Sequence, residues 1–239
     1  YNHIDVDAAR ARGIAVTNTP GVLTDATADL ALTLLLATAR RAGEGERLLR
    51  AGRWRGWHPT QLLGTEVTGK TVGIVGMGRI GTAIARRCHF GFSMPVVFFN
   101  RSPRKPDFPA TQLQSLDALA ESADFVVVAV PGGAETRHLI DAPFFAAMKP
   151  TAIFVNIARG DVVDEAALIE ALRAGEIAGA GLDVYEHEPE VPAALTEMEN
   201  VTLLPHLGSA TRETRIAMGR LAVDNIIAFL EGRPLPNPV

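Results

Sequence analysis

The chain has 239 residues, 47% of them hydrophobic and 21% charged, enough apolar content to bury the core of one large domain or two modest ones. Its formal net charge is -4, from 23 Lys and Arg against 27 Asp and Glu with the signs mixed throughout. No run of Lys and Arg offers a face to nucleic acid or to an anionic membrane, so neither is expected as a partner.

In chain order, "IDVDAARARG" reads as a short helix ending at Gly13, and "IAVTNTP" as a strand that Pro20 terminates. The stretch "TDATADLALTLLLATARRAGEGERLLRAGRW" reads as a long helix capped by Thr24 or Asp25, with Gly43 and Gly45 as places for a break. Its apolar part, Ala26 to Ala39, contains Asp29 and falls short of the ~20 residues of a bilayer span, so it is expected to be buried or to face another subunit. No secretory leader is read before it, so a cytoplasmic location is expected. The single cysteine, Cys88, lies in a helical pattern and reads as a small buried hydrophobe of a reducing compartment. In the loop before Gly69, Trp54, Trp57 and His58 are expected to serve loop packing before any role as a wall of a site.

From Thr71 onward, apolar runs of strand length alternate with helical segments. The runs are "TVGIV", "PVVFF", "ADFVVVAV", "TAIFVNI", "AGAGLDV" and "NVTLLPH", and a last helix covers about Thr211 to Glu231. Strands this uniformly apolar belong in a parallel sheet covered by helices on both faces, so the fold expected is α/β, a doubly wound parallel sheet.

The stretch "VGIVGMGRIGTAIARR" runs from strand into helix through Gly76, Gly78 and Gly81. In that context the spacing reads as a dinucleotide site: Gly76 permits the turn, Gly78 lets backbone approach a pyrophosphate, and Gly81 lets the helix pack on the strand. About 20 residues on, an NAD-preferring site usually places a carboxylate for the ribose hydroxyls. Here "FFNRSPRKP" has Asn100, followed by Arg101, Ser102, Arg104 and Lys105. A guanidinium pairs with a 2′-phosphate and a hydroxyl donates to it, so NADP(H) is favoured over NAD(H), with an exposed basic turn as the bland alternative. Three later strand ends carry Arg159, Glu188 and His206, which a parallel sheet would present at its ligand edge; spacing alone leaves a joint catalytic role open. No metal site is expected.

These motifs, with "YNHIDVDAARARGIAVTNTPGVLTDATADLAL", "HFGFSMPVVFFNRS", "VNIARGDVVDE", "AGAGLDVYEHEPE" and "LLPHLGSATRETR", occur in an order that resembles the D-isomer-specific 2-hydroxyacid dehydrogenases. Within them the chain looks most like the bacterial glyoxylate/hydroxypyruvate reductases that also reduce 2-ketogluconate. The resemblance implies Arg159 as the substrate-binding arginine, Glu188 as the glutamate before proline, and His206 as the proton donor of the Pro-His motif. Arg159 would hold the carboxylate and carbonyl oxygen of a 2-oxo acid, and His206, its charged form favoured by Glu188, would protonate the oxygen as hydride arrives. It further implies that Asp183 bonds the nicotinamide carboxamide, and that Pro131 and Thr136 of "VPGGAETRHLI" line the cofactor. By the same resemblance Arg79 and Ile80 of the glycine turn join the cofactor contacts, with Val130, Ile157, Ala158 and Gly208. The implied domains are a partial, flavodoxin-like substrate domain over 1–22, an NAD(P)-binding Rossmann domain over 23–208, and a C-terminal helix over 209–239 returning to the substrate domain. The family's carboxylate-holding loop would lie upstream of Tyr1. A homodimer and a small-molecule substrate are expected; the competing readings are a cofactor-sensing module without turnover and a truncated domain that dimerises through the Ala26 to Ala39 helix.

Overall fold

The structure, a computed structural model, describes residue 1 and residues 3–239. Three helices come first: α1 (Val6–Ala11), α2 (Thr24–Ala39) and α3 (Ala42–Arg50). The alternating region follows as β1 (Val72–Val75), α4 (Arg79–Phe92), β2 (Val96–Phe99), β3 (Thr111–Gln112), α5 (Leu116–Ser122), β4 (Phe125–Val128), α6 (Ala142–Ala147) and β5 (Ile153–Asn156). A 3-10 turn at Gly160–Val162 leads to α7 (Glu165–Ala174), β6 (Gly179–Leu182), α8 (Ala193–Glu197), β7 (Val201–Leu203) and α9 (Arg212–Leu230).

The strands form one sheet in the order β3-β2-β1-β4-β5-β6-β7. Every pairing is parallel. Successive side chains point to opposite faces, and each face has its own core. Val72, Ile74, Phe125, Val127, Ile153 and Val155 pack with α2 and α4 residues such as Leu34, Leu35, Ile84 and Cys88. Val75, Val126, Val128 and Phe154 pack on the other face with Leu119, Phe144, Phe145 and Leu168 of α5, α6 and α7. Continuous apolar runs are therefore needed, because no strand residue in the middle of the sheet reaches water. A short polar side chain starts several of the covering helices: Ser115, Asp141, Asp164 and Thr211 each accept the N–H three residues on.

Because the chain builds β1, moves outward to β2 and β3, then crosses back to β4, the strand order reverses at β1. That reversal opens a crevice at the carboxyl edge, where the loops after β1, β2 and β4 diverge.

Three local expectations are corrected. The segment 14–20 forms no strand: it makes a single bridge, Thr17 against Pro238, with Val239 N–H donating to Val16 O at 3.0 Å and Asn18 N–H to Asn237 O at 3.2 Å. Among the described residues its one pairing partner is the tail, too short for a ladder. The long helix breaks at Arg40 and Arg41, not at its glycines; Arg41 takes a left-handed φ of 51° while its guanidinium binds both Glu44 oxygens, at 2.7 and 2.8 Å. Neither Thr24 nor Asp25 caps α2, whose N-cap is Leu23; Asp25 and Asp29 instead accept from Arg87 of α4 at 2.9 and 2.7 Å, tying the two helices together. Of the two readings of α2 the buried one holds: its apolar residues pack against α4, β5 and β6, and Asp25, Asp29 and Thr33 are its exposed residues. Among the described residues no helix is long and apolar enough to cross a membrane.

Candidate active site

The glycine turn leaves β1 at the strand reversal. Gly76 adopts φ 98°, and a Cβ there would lie 2.8 Å from Val130 Cγ1 and 2.9 Å from Ala129 O, so the turn is pressed against the end of β4. A Cβ on Gly81 would come within 2.0 Å of Gly76 O, so α4 approaches β1 more closely than any side chain permits. Gly78 is different. It is the exposed N-cap of α4, no side chain caps the helix, and a Cβ built there meets nothing within 4 Å. Open space thus lies before the first helical amides, which have no partner within the helix, and that arrangement fits an anionic pyrophosphate. Arg79, the first helical residue, is exposed, and Ile80 is half-buried. A groove of about 860 Å³ follows this end of α4, lined by Gly78, Arg79, Thr82, Arg86, Arg104 and Lys105. Its cations outnumber the single lining carboxylate, Asp107, which is paired with Arg86 at 2.7 Å.

At the end of β2, Asn100 Oδ1 accepts the Met77 N–H at 3.0 Å, and its Nδ2 donates to Ser102 O at 2.9 Å and Ser102 Oγ at 3.2 Å. The amide therefore joins the glycine turn to the basic turn, at the position where an NAD-preferring site would place a carboxylate. Arg101, Ser102, Arg104 and Lys105 are exposed. Arg101 pairs with Glu135 of the loop after β4, an acidic partner that the sequence offered no way to anticipate. In that loop Thr136 Oγ1 donates to Pro131 O at 2.7 Å, so the threonine hydroxyl braces the loop on which Pro131 is exposed and Val130 half-buried.

The other candidates lie at the carboxyl ends of the next three strands. Beyond β5, Asn156 folds the loop back: its Oδ1 accepts Ala158 N–H and its Nδ2 donates to Arg159 O, both at 3.0 Å. Ile157 and Ala158 are buried there, and the half-buried Arg159 donates from Nη1 to Ala158 O at 2.7 Å. Beyond β6, Asp183 accepts Leu207 N–H at 2.7 Å and Gly208 N–H at 2.8 Å, while its carbonyl accepts His206 N–H at 2.9 Å. His206 sits at a left-handed φ of 53°, a conformation held by this clamp and by Thr27, whose hydroxyl donates to Gly208 O at 3.1 Å. The side chain of His206 meets Glu188, Nδ1 to Oε2, at 2.8 Å, and Glu188 Oε1 accepts Tyr185 N–H at 3.1 Å. The imidazole is half exposed, so its other nitrogen can face a ligand in the crevice.

Electrostatics separate structural from reactive groups. Burial pushes the Asp183 carboxyl upward; the Leu207 and Gly208 amides and His206 pull it down, and Glu188 adds to the rise. Burial, with the Asp183 carboxylate next, pushes the Tyr185 phenol up to about 12; its hydroxyl donates to Leu204 O at 2.9 Å, so it serves the fold and not proton transfer. Asp183 thus has both oxygens committed to the His206 loop, which sets the expected carboxamide contact beside a demonstrable structural one. A second imidazole, His138, meets Glu186 at 2.8 Å and connects the loop after β4 to the one bearing Glu188; neither residue is among the sequence candidates.

The sheet order brings all these loops to one edge, from Asn100 after β2 through Gly76, Val130 and Arg159 to Asp183 and His206 after β7. The arrangement can hold a dinucleotide across the reversal point and set a guanidinium and an imidazole–carboxylate pair beside its far half.

Comparison with known proteins agrees with this geometry. Residues 32–208 match the model of the D-isomer specific 2-hydroxyacid dehydrogenase, NAD binding domain. The chain is 52% identical over 246 residues to the glyoxylate reductase of Thermococcus kodakarensis, covering 100% of this chain and 73% of that protein. It is 50% identical over 236 residues to glyoxylate/hydroxypyruvate reductase B of Salmonella newport, covering 98% of this chain and 73% of that protein. Among solved structures, the NADPH-dependent glyoxylate/hydroxypyruvate reductase of Sinorhizobium meliloti, in complex with NADP and malonate, superimposes with a TM-score of 0.93 at 46% identity, covering 100% of this chain and 74% of that one.

Proposed function

Because the chain belongs to the D-isomer-specific 2-hydroxyacid dehydrogenase family and is thus an NAD(P)-dependent oxidoreductase acting on 2-oxo acids, we propose that it is an NADPH-preferring reductase of glyoxylate and hydroxypyruvate that also accepts 2-ketogluconate. It works in the cytoplasm as a homodimer. The observation that carries the reading is the 2.8 Å contact between His206 Nδ1 and Glu188 Oε2 at the same sheet edge as the glycine turn.

A bound reduced nicotinamide supplies a hydride to C2 of the 2-oxo acid. Arg159 holds the substrate carboxylate and the carbonyl oxygen with planar, permanently charged donors. As charge builds on that oxygen, His206 delivers the proton from Nε2, and Glu188 keeps the Nδ1 side of the ring bound throughout. In the oxidative direction neutral His206 takes the proton back at Nε2. Asp183, besides clamping the His206 loop, would bond the carboxamide, while Val130, Pro131, Thr136, Ile157, Ala158 and Gly208 would contact the bound cofactor. Absence of a carboxylate at Asn100, together with Arg101, Ser102, Arg104 and Lys105 on the turn beyond it, supports NADPH as the preferred reductant.

Segments 1–22 and 209–239 belong to a second, substrate-binding unit around the 23–208 cofactor domain; the pairing of Val16 to Asn18 with the last residues supports grouping the two ends together. For the dimer, the exposed apolar residues Leu49, Trp54, Trp57 and Leu63 supply a surface.

The test is the loss of reduced-nicotinamide absorbance with glyoxylate, hydroxypyruvate and 2-ketogluconate, using NADPH and NADH in parallel. Turnover favouring NADPH is expected. No oxidation of either cofactor points to a sensing module instead, and faster turnover with NADH removes the role given to Arg101.

A further inference from the structure

The two residues of β3 lie at the sheet edge, with Phe98 opposite Gln112 and Leu113 N–H donating to Phe98 O at 2.8 Å. That register sets Gln112 beside the end of β2 and under the basic turn. Its half-buried amide bonds the turn on both sides: Nε2 donates to Asn100 O at 2.9 Å and Ser102 O at 3.3 Å, and Oε1 accepts Arg104 N–H at 2.9 Å. Residues 101–105 belong to no helix or strand, and the turn carries three exposed cations, Arg101, Arg104 and Lys105, of which Arg101 pairs with Glu135. Asn100 in turn bonds Ser102 and Met77, so the contacts run from the edge strand through the basic turn into the glycine turn.

We propose that Gln112 is a positioning residue that sets cofactor specificity, holding the 100–104 turn in the shape that presents Arg101, Ser102 and Arg104 to the 2′-phosphate. The inference rests on the NADP(H) reading above. An amide is required because it donates and accepts at once: a carboxylate would turn acceptors toward two carbonyls, and an aliphatic chain would abandon all three contacts. Gln112 does not touch the cofactor; it acts by sparing the turn the ordering cost of being shaped only when the phosphate arrives.

The probes are 2′,5′-ADP and 5′-AMP, which differ only in the 2′-phosphate, titrated against the purified protein alongside KM and kcat with NADPH and NADH. In Gln112→Leu, binding of 2′,5′-ADP and KM for NADPH are expected to worsen about tenfold, the worth of roughly one aligned charge-assisted hydrogen bond, with 5′-AMP, KM for NADH and kcat within about twofold. Gln112→Asn keeps the amide but is one methylene short, and the same split is expected if the leucine variant does not fold. Equal weakening of both nucleotides, or of neither, overturns the proposal, since a merely structural residue would not distinguish them. If the wild-type protein binds 2′,5′-ADP no better than 5′-AMP, the NADP(H) reading itself fails, and this proposal with it.

Discussion

Replacing Gly81 by alanine inserts a methyl group where there is no room for one. Its carbon would lie 2.0 Å from Gly76 O and 3.1 Å from Ile74 Cγ2, and the nearer obstacle is backbone. Carbon and oxygen approach no closer than about 3.3 Å even in a C–H···O contact, so α4 must retreat from β1 by roughly 1 Å. Overpacking usually costs 1–3 kcal/mol, and with a main-chain carbonyl in the way the upper end, about 3 kcal/mol, is expected. For a chain of this size that lowers Tm by roughly 6–12 °C. The retreat also moves the first amides of α4 away from the Gly78 opening, so NADPH binding should weaken at least about tenfold, given that a 1 Å misplacement elsewhere costs up to 100-fold. Gly91, on the same helix, is the control: its Cβ would meet nothing within 4 Å, and Gly91→Ala should be neutral or stabilise by up to about 1 kcal/mol. Thermal unfolding and titration of NADPH fluorescence well below Tm measure both effects. If Gly81→Ala melts within a degree or so of wild type and binds NADPH equally well, the helix–strand contact does not shape the turn and the argument is wrong.

His206→Ala should reduce kcat by about 10²–10⁴, with Glu188→Gln losing roughly 10²-fold, while neither much alters the Kd for NADPH; a changed Kd with unchanged turnover would dismiss the proton relay. Burial opposes the ionised Asp124, but the Lys149 hydrogen bond at 2.9 Å, the Thr71 N–H and the charges of Lys149 and Lys70 hold its carboxyl below the usual range. Its stabilising contribution is therefore complete above the unfolded carboxyl pKa and is lost as pH falls through the lower folded value. Lys149→Met should cost up to about 1 kcal/mol at neutral pH, a deficit that shrinks in acid; a deficit independent of pH in denaturation curves would refute the pairing. Burial alone pushes the fully buried Cys88 thiol up to about 12, so a thiol reagent should label it only at the rate of unfolding, and rapid labelling of the native protein would contradict its position on the buried face of α4.

Much of this fold was readable locally. The strand runs are apolar on both faces because helices cover both, and that requirement is written into consecutive residues such as Phe125 to Val128. Gly76 and Gly81 were legible for a similar reason: a positive φ and a forbidden Cβ constrain the very residue that bears them. The failures concern partners. The helix break fell at Arg41 because Glu44 and the end of α2 outweighed the flexibility of Gly43 and Gly45. Asp25 went to Arg87, 62 residues away, instead of capping its own helix.

The amino-acid sequence by itself determined where strands and helices alternate, where the glycine turn between β1 and α4 falls, and which residue types stand at the strand ends. Only the tertiary structure decided that Glu188 reaches His206, 18 residues on, that Asp183 fastens the turn carrying that histidine, and that Gln112 underpins the basic turn. Propensity and periodicity act between near neighbours along the chain, whereas these contacts exist because parallel strands deliver distant loops to one edge.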